Sequence, residues 1–183
     1  AVALKEYDRC KAGHCLVSKF FLEKNNLILE AVLEEMEDGA GFGIYSGAGA
    51  FEQYLYIAYS RQGVEARISN RTPNGDTFMF EGHKKFYVLA QQSIEIVLPI
   101  KTRIEIKKDN VTVSINDEKV LDFSIEKVIE LKDYVRVLIK SVNESNLHYV
   151  VSSKWKDFKC SGFCNTYSVT GRVLFREDNV IKG

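Results

Sequence analysis

The chain has 183 residues, 27% of them charged and 45% hydrophobic, and its 25 basic and 25 acidic side chains leave a net charge of zero. That balance argues against a nucleic-acid binder, which needs a basic excess or stripe, and against electrostatic attachment to a membrane surface. No apolar run approaches the roughly 20 residues of a membrane-spanning helix, so the expectation is one soluble domain over residues 1–183 with a single core.

The N-terminal segment carries Cys10 and Cys15, and a second close pair, Cys160 and Cys164, stands near the other end. An even count in two pairs suits disulfides, as two local loops or as links between the terminal segments, and three connectivities are open. Zinc also uses paired cysteines, but mostly with two residues between them, and here four and three intervene.

From Cys15 the chain reads as strands. One runs to Leu22, a turn falls at Asn25-Asn26, and the next begins at Leu27. "LILEAVLEEMED" mixes signals: its Leu/Glu content favours helix, while Leu27, Leu29, Ala31 and Leu33 recur with the period of two that marks a half-buried strand. Its strand neighbours favour strand. The glycines of "DGAGFGIYSGAGAF" lead into a strand over 42–45 rather than a helix, so they suit bulges or close backbone approach and not a phosphate cradle.

"YLYIAYSRQGVEARISN" is the clearest hairpin. A two-residue loop at Gln62-Gly63 pairs Arg61 with Val64 and Tyr59 with Ala66. Ile57, Tyr59, Ala66 and Ile68 then share a core face, and Tyr56, Ala58, Glu65, Arg67 and Ser69 share the other. "TPNGDTFMF" reads as a loop, and strands follow over 86–89, 93–98, 102–107, 111–115 and 120–124, a short helix near 125–131, and further strands over 134–142, 148–154 and 168–176. In "IEIKKDNVTVSI" the residues Ile104, Ile106, Val111, Val113 and Ile115 alternate with charged and polar ones, which is the pattern of antiparallel strands with one wet face. About a dozen short strands indicate an all-β sandwich or barrel.

Three Asn-x-Ser/Thr sequons, at Asn70, Asn110 and Asn143, fall at expected turns or strand ends. Ten asparagines, with Ser and Thr at 19 of 183 positions, predict about one by chance. The excess, together with the paired cysteines, points to a secreted, extracellular glycoprotein with disulfide bonds.

The hairpin "TRIEIKKDNVTVSINDEKVLDF", with Asn116 at its second turn, resembles strands of the concanavalin-like jelly-roll sandwiches, the group holding legume-type lectins, galectins and laminin-G-like modules. "GAGFGIYSG" looks like an early strand of such folds. The resemblance implies an antiparallel β-sandwich of jelly-roll type and a sugar site on one sheet face, where this chain offers Glu65, Arg67, Asn70 and Arg71. The galectin pattern of His, Asn and Arg on one strand with a nearby Trp is not matched, since Trp155 is the sole tryptophan.

Tyr45, Tyr54, Tyr56, Tyr59, Phe78, Phe80, Phe86 and Tyr87, interleaved with Arg61, Arg67, Arg71, Lys84 and Lys85, form an aromatic and basic set suited to stacking sugars or anchoring a protein partner. Against it stands the plain reading that such residues simply populate β-strands. Glu65, Glu95, Glu105 and Asp122 are the strand carboxylates a glycanase would need, and a solvated sheet face explains them as well. His14, His83 and His148 are too scattered to suggest a triad or a metal site, so neither a metal nor a cofactor is expected. The functional expectation is a non-catalytic carbohydrate-binding module using Tyr54, Tyr56, Glu65, Arg67, Asn70 and Arg71, its partner a glycan. The alternative is an extracellular protein-binding module for adhesion, receptor binding or capture.

Overall fold

A computed structural model describes residues 15–18, 21–48, 51–71, 86–126, 134–140, 142–143, 146–150, 152–161, 174–175 and 181–182. The strands are β1 (Cys15–Val17), β2 (Leu22–Glu23), β3 (Leu27–Met36), β4 (Ala40–Ala48), β5 (Phe51–Ser60), β6 (Gly63–Arg71), β7 (Tyr87–Ser93), β8 (Ile100–Lys107), β9 (Asn110–Ile115), β10 (Glu118–Ser124), β11 (Tyr134–Lys140), β12 (Val142–Asn143), β13 (Asn146–Val150), β14 (Ser153–Cys160), β15 (Leu174–Phe175) and β16 (Ile181–Lys182). One sheet has seven strands in the order β1-β11-β4-β5-β6-β7, with β2 also on β11. The other has five, β10-β9-β8-β3-β14, and β12-β13 and β15-β16 are separate two-stranded ribbons. Every pairing among the described strands is antiparallel, and of the two architectures the alternation allows, sandwich or barrel, it is the sandwich that forms.

The core lies between the sheets. Strand β3 buries Leu27, Leu29, Ala31 and Leu33 on alternate positions, so period overrides the helical propensity of its Leu/Glu composition. Ile104, Ile106, Val111, Val113 and Ile115 are buried as expected, and across from them stand Phe42, Ile44, Leu55, Ile57, Ala66, Ile68, Val135 and Val137. Trp155 completes this layer, with its ring centroid 5.2 Å from Phe42 and 5.8 Å from Tyr59. Its indole N–H donates to Ser153 Oγ at 3.0 Å, so burial leaves no orphaned donor. The Tyr59 and Thr102 hydroxyls hydrogen-bond to each other across the sandwich, joining β5 of one sheet to β8 of the other. Burial raises the Tyr59 pKa, so the phenol stays neutral.

The outer face of the five-stranded sheet is a solvated ladder of ion pairs. Arg103 bridges Glu30 at 2.9 Å and Glu105 at 3.4 Å, Lys107 reaches Glu105 at 2.8 Å, and Lys154 and Lys156 both hold Glu34. Strand β14 has register shifts on either side of Lys156, and Asp157 adopts a positive φ of 54°. Bulges and lysines of this kind are the usual protection of a sheet edge against pairing with another chain.

Three expectations need correction. The β5–β6 turn is Arg61-Gln62, one residue earlier than read, and it pairs Ser60 with Gly63, Tyr59 with Val64 and Tyr56 with Arg67. Gly63 belongs to the strand, where a Cβ would lie 2.3 Å from the Gln92 carbonyl oxygen of β7. The glycine serves the approach of β7, and its φ of 156° directly after the turn favours glycine as well. Residues 94–99 are not a strand. Ile94 and Ile96 donate their N–H groups to the turn carbonyls of Gln62 and Arg61, so this segment caps the hairpin instead of extending a ladder. Ile125 and Glu126 are not helical, and the rest of the expected helix lies outside the described residues, as does the loop at 72–80.

Candidate functional site

All six expected binding residues lie on the adjacent strands β5 and β6 of the seven-stranded sheet. Tyr56 stands opposite Arg67, Ala58 opposite Glu65, Tyr54 opposite Ser69, and Glu52 opposite Arg71. The first three of these pairs share the outer face, because directly paired residues of an antiparallel ladder point the same way. Asn70 pairs with Gln53, at the alternate parity with Leu55 and Ile68, so the register does not group it with Arg67. Of Asn70 and Arg71 only the strand position is described.

The face is not the open tyrosine platform the sequence suggested. Tyr54 and Tyr56 are each only 1% exposed and form a second apolar cluster with Val17, Tyr45, Ala58 and Leu138. The physical reason is the small residues of β4. A Cβ at Gly41 would lie 2.9 Å from the Tyr56 ring, so the missing side chain is what lets that ring lie down on the sheet. Tyr45 meets Tyr54 edge-on at 5.4 Å. Lys140 of β11, itself buried, sets its ammonium 4.8 Å from the Tyr54 ring centroid and 5.2 Å from that of Tyr56. A cation so placed is attracted by the negative faces of both rings.

Two arginines flank this buried centre. On one side Arg67 donates from Nε to Glu65 Oε2 at 2.8 Å, with Nη2 on the same oxygen at 2.7 Å, and its guanidinium lies 4.3 Å over the Phe86 ring. The carboxylate and the ring together fix the guanidinium plane, while both charged side chains keep contact with solvent. On the other side Arg136 of β11 lies 5.3 Å from the Phe21 ring and 5.9 Å from that of Tyr45, and its Nε donates to the Ser18 carbonyl. Phe21 and Tyr134, at 51% and 55% exposure, are the open aromatics of this flank. Sequence reasoning found Arg67 and Glu65 but missed Phe21, Tyr134, Arg136 and Lys140. They reach the face from β11 and from the segment before β2, far from the hairpin in sequence, and no local motif marks them.

Neither Glu105 nor Asp122 has the environment of a general acid. Lys107 holds the Glu105 carboxyl below its ordinary range, and Asn110 and Lys119 do the same for Asp122. A proton donor needs the opposite shift. Among the described residues, no group of three or more His, Cys, Asp or Glu side chains could hold a metal ion. No described helix is long and apolar enough to cross a membrane.

The disulfide expectation is corrected at Cys160, which is a free thiol. It sits half-buried at the end of β14 and lines a void of about 10 Å³ with Leu29, Phe42, Val137 and Phe158. Cys15 is on β1 in the other sheet, and Cys10 and Cys164 lie outside the described residues. Burial pushes the Cys160 thiol up to about 11, so little thiolate forms at neutral pH. Iodoacetamide at pH 8 should therefore modify Cys160 roughly a hundredfold more slowly in the native than in the urea-unfolded chain, as read by peptide mass spectrometry. Equal rates would place the thiol in the open.

No protein-family model matches the sequence, and no curated protein matches it. Among solved structures, the chain superposes on carbohydrate-binding module CBM66 from Bacillus subtilis with a TM-score of 0.54 at 12% identity, over 82% of this chain and 83% of that one. The fold is an antiparallel β-sandwich of jelly-roll type. Further matches lie at lower similarity: a Crh5 transglycosylase in complex with NAG, with TM-score 0.49 and 12% identity over 94% and 78% of the two chains, and the galectin LEC-6 of Caenorhabditis elegans, with TM-score 0.46 and 12% identity over 81% and 90%. Identity this low identifies the jelly-roll architecture and leaves the activity to be argued from the site.

Proposed function

We propose that the chain is a non-catalytic carbohydrate-binding module that takes a glycan on the outer face of its seven-stranded sheet. The observation that carries the reading is the pair of arginine–aromatic stacks on that face, Arg67 on Phe86 and Arg136 on Phe21, with the open ring of Tyr134 beside the second. Sugar rings have an apolar C–H face and an equatorial rim of hydroxyls. An exposed aromatic ring meets the first, and a planar, pre-oriented guanidinium beside a carboxylate meets the second. The buried Tyr54–Tyr56–Lys140 centre is the support that holds β5 and β11 in place beneath the two flanks. The shared fold with a carbohydrate-binding module supports the reading.

A glycan-array screen of the folded protein is the test, with Arg67→Ala and Phe21→Ala as the informative variants. Each should weaken selective glycan binding at least about tenfold, equivalent to roughly 1.4 kcal/mol, while the melting temperature stays near that of the parent. Tyr56→Ala is a poor probe, because that ring is buried and its loss disturbs packing. Selective binding that survives both variants would remove the site from this face.

A second reading has its own observation. Phe21, Tyr87, Val97 and Tyr134 are large apolar side chains with between 47% and 69% exposure. Open aromatics are also the anchors of protein interfaces. Absence of glycan binding at concentrations that detect millimolar affinity would transfer the weight to an extracellular protein partner for adhesion, receptor binding or capture.

A further inference from the structure

We infer that Asn110 is an N-glycosylation site, and that its glycan stands on the outer face of the five-stranded sheet, across the sandwich from the proposed ligand face. The sequon Asn110-Val111-Thr112 opens β9, directly after the tight turn at Lys108-Asp109, where Lys108 takes a φ of 55°. Alternation along β9 decides the geometry. Val111 is buried in the core, so Asn110 and Thr112 point away from it, and Asn110 is exposed. The acceptor atom is placed as well as the residue. Asn110 Nδ2 donates to Asp122 Oδ1 at 3.0 Å, and Asp122 is itself an exposed side chain of β10 that also pairs with Lys119 at 3.1 Å.

A sugar on Nδ2 removes one of its two hydrogens and leaves the other. The remaining hydrogen is still a donor for Asp122, and because both side chains are exposed no buried group is uncovered. In the transfer, the anomeric carbon of an oligosaccharide carried on a lipid diphosphate forms a bond to Nδ2. Its bond to the diphosphate oxygen breaks, the amide loses a proton, and the lipid diphosphate departs.

For the other two sequons only the strand position is described. Asn70 pairs with Gln53 at the parity of the buried Leu55 and Ile68, and of Asn143 only its place in the short strand β12 is described. A glycan on Asn110 also agrees with the ligand reading without depending on it. It emerges from the charged face of β8, β9 and β10 and leaves the arginine–aromatic flanks of the seven-stranded sheet uncovered.

The full chain, directed into the secretory pathway of an animal-cell host, should leave the cell carrying an N-linked glycan. Enzymatic release should convert Asn110 to Asp in peptide mapping. Thr112→Ala keeps Asn110 and its bond to Asp122 while removing the sequon. It should abolish modification at Asn110 with the melting temperature essentially unchanged, and Asn110→Gln should do the same for modification. A secreted, folded chain with Asn110 unmodified, or with glycan on Asn70 or Asn143 alone, would overturn the inference.

Discussion

Trp155→Ala should cost about 3 to 5 kcal/mol of folding stability. The indole is 7% exposed and is the hub of the aromatic layer, with ring centroids 5.2 Å from Phe42, 5.8 Å from Tyr59 and 6.5 Å from Phe158. Truncation removes the contacts of three rings at once. The cavity it leaves lies between two hydrogen-bonded sheets that cannot collapse to fill it. Because a domain is typically stable by only about 5 to 15 kcal/mol, the loss is a large fraction of the whole. For a chain of this size it corresponds to a fall in melting temperature of roughly 10 °C. Urea denaturation should show the midpoint moving with little change in slope. Trp155→Phe keeps most of the apolar volume and should recover more than half of the difference. A Trp155→Ala protein melting within about 2 °C of the parent would mean that Trp155 does not close the core as described.

Gly43→Ala should be nearly as damaging, although it adds a single methyl group. A Cβ built on Gly43 lies 2.1 Å from the Leu55 carbonyl oxygen and 2.6 Å from the Tyr56 Cα, both backbone atoms of the neighbouring strand β5. A backbone atom cannot rotate aside as a side chain can. The β4–β5 pair must therefore separate or shift, at a cost of about 3 kcal/mol. Gly41→Ala is the built-in comparison. There the close neighbours are the Tyr56 ring at 2.9 Å and the Lys140 Cβ at 3.1 Å, both side chains. It should lose less stability than Gly43→Ala but disturb the seating of Tyr56, and a near-ultraviolet circular dichroism change should report the moved tyrosine. If Gly41→Ala were the more destabilising of the two, the close approach assigned to Gly43 and β5 would be wrong.

Together these two changes separate what holds the sandwich from what shapes its outer face. Trp155 acts between the sheets. Gly43 and Gly41 act on the far side, where the face owes its form to absent side chains as much as to those present. The proposed ligand flanks depend on both, because Arg67 and Arg136 are displayed by β6 and β11, which the sheet order places on either side of the β4–β5 pair.

Much of the fold is legible from periodicity. Leu27 to Leu33 and Ile104 to Ile115 alternate so regularly that a strand is the only element that buries one side of them. The buried set follows from that alternation, because successive strand side chains point to opposite faces. The hairpin faces survive even though its turn is displaced. Moving the loop by one residue shifts each pairing sum by two, which preserves parity. Glycine is where the reading slipped. Gly63 looks like a turn residue in sequence, and nothing local distinguishes a glycine needed for a turn from one needed so that another strand can come near.

The candidate site was legible only in part, for a related reason. Parity tells which side of a sheet Tyr54 and Tyr56 occupy, but not whether that side is covered. Their burial comes from Gly41, Val17, Leu138 and Lys140, contributed by β1, β4 and β11. The stacking of Arg136 on Phe21 joins residues with no sequence relation at all. By itself, then, the sequence determined most of the strands and the face each of them buries, because these follow from a period-two pattern that each segment carries locally; the jelly-roll type came from the resemblance of the middle hairpin and not from the alternation. Only the tertiary structure decided that the tyrosines are buried, that Cys160 is a free thiol, and that the exposed aromatic–arginine contacts lie at the flanks. Those properties depend on which distant strands are neighbours, and neighbour identity is set by sheet order rather than by any one strand's own residues.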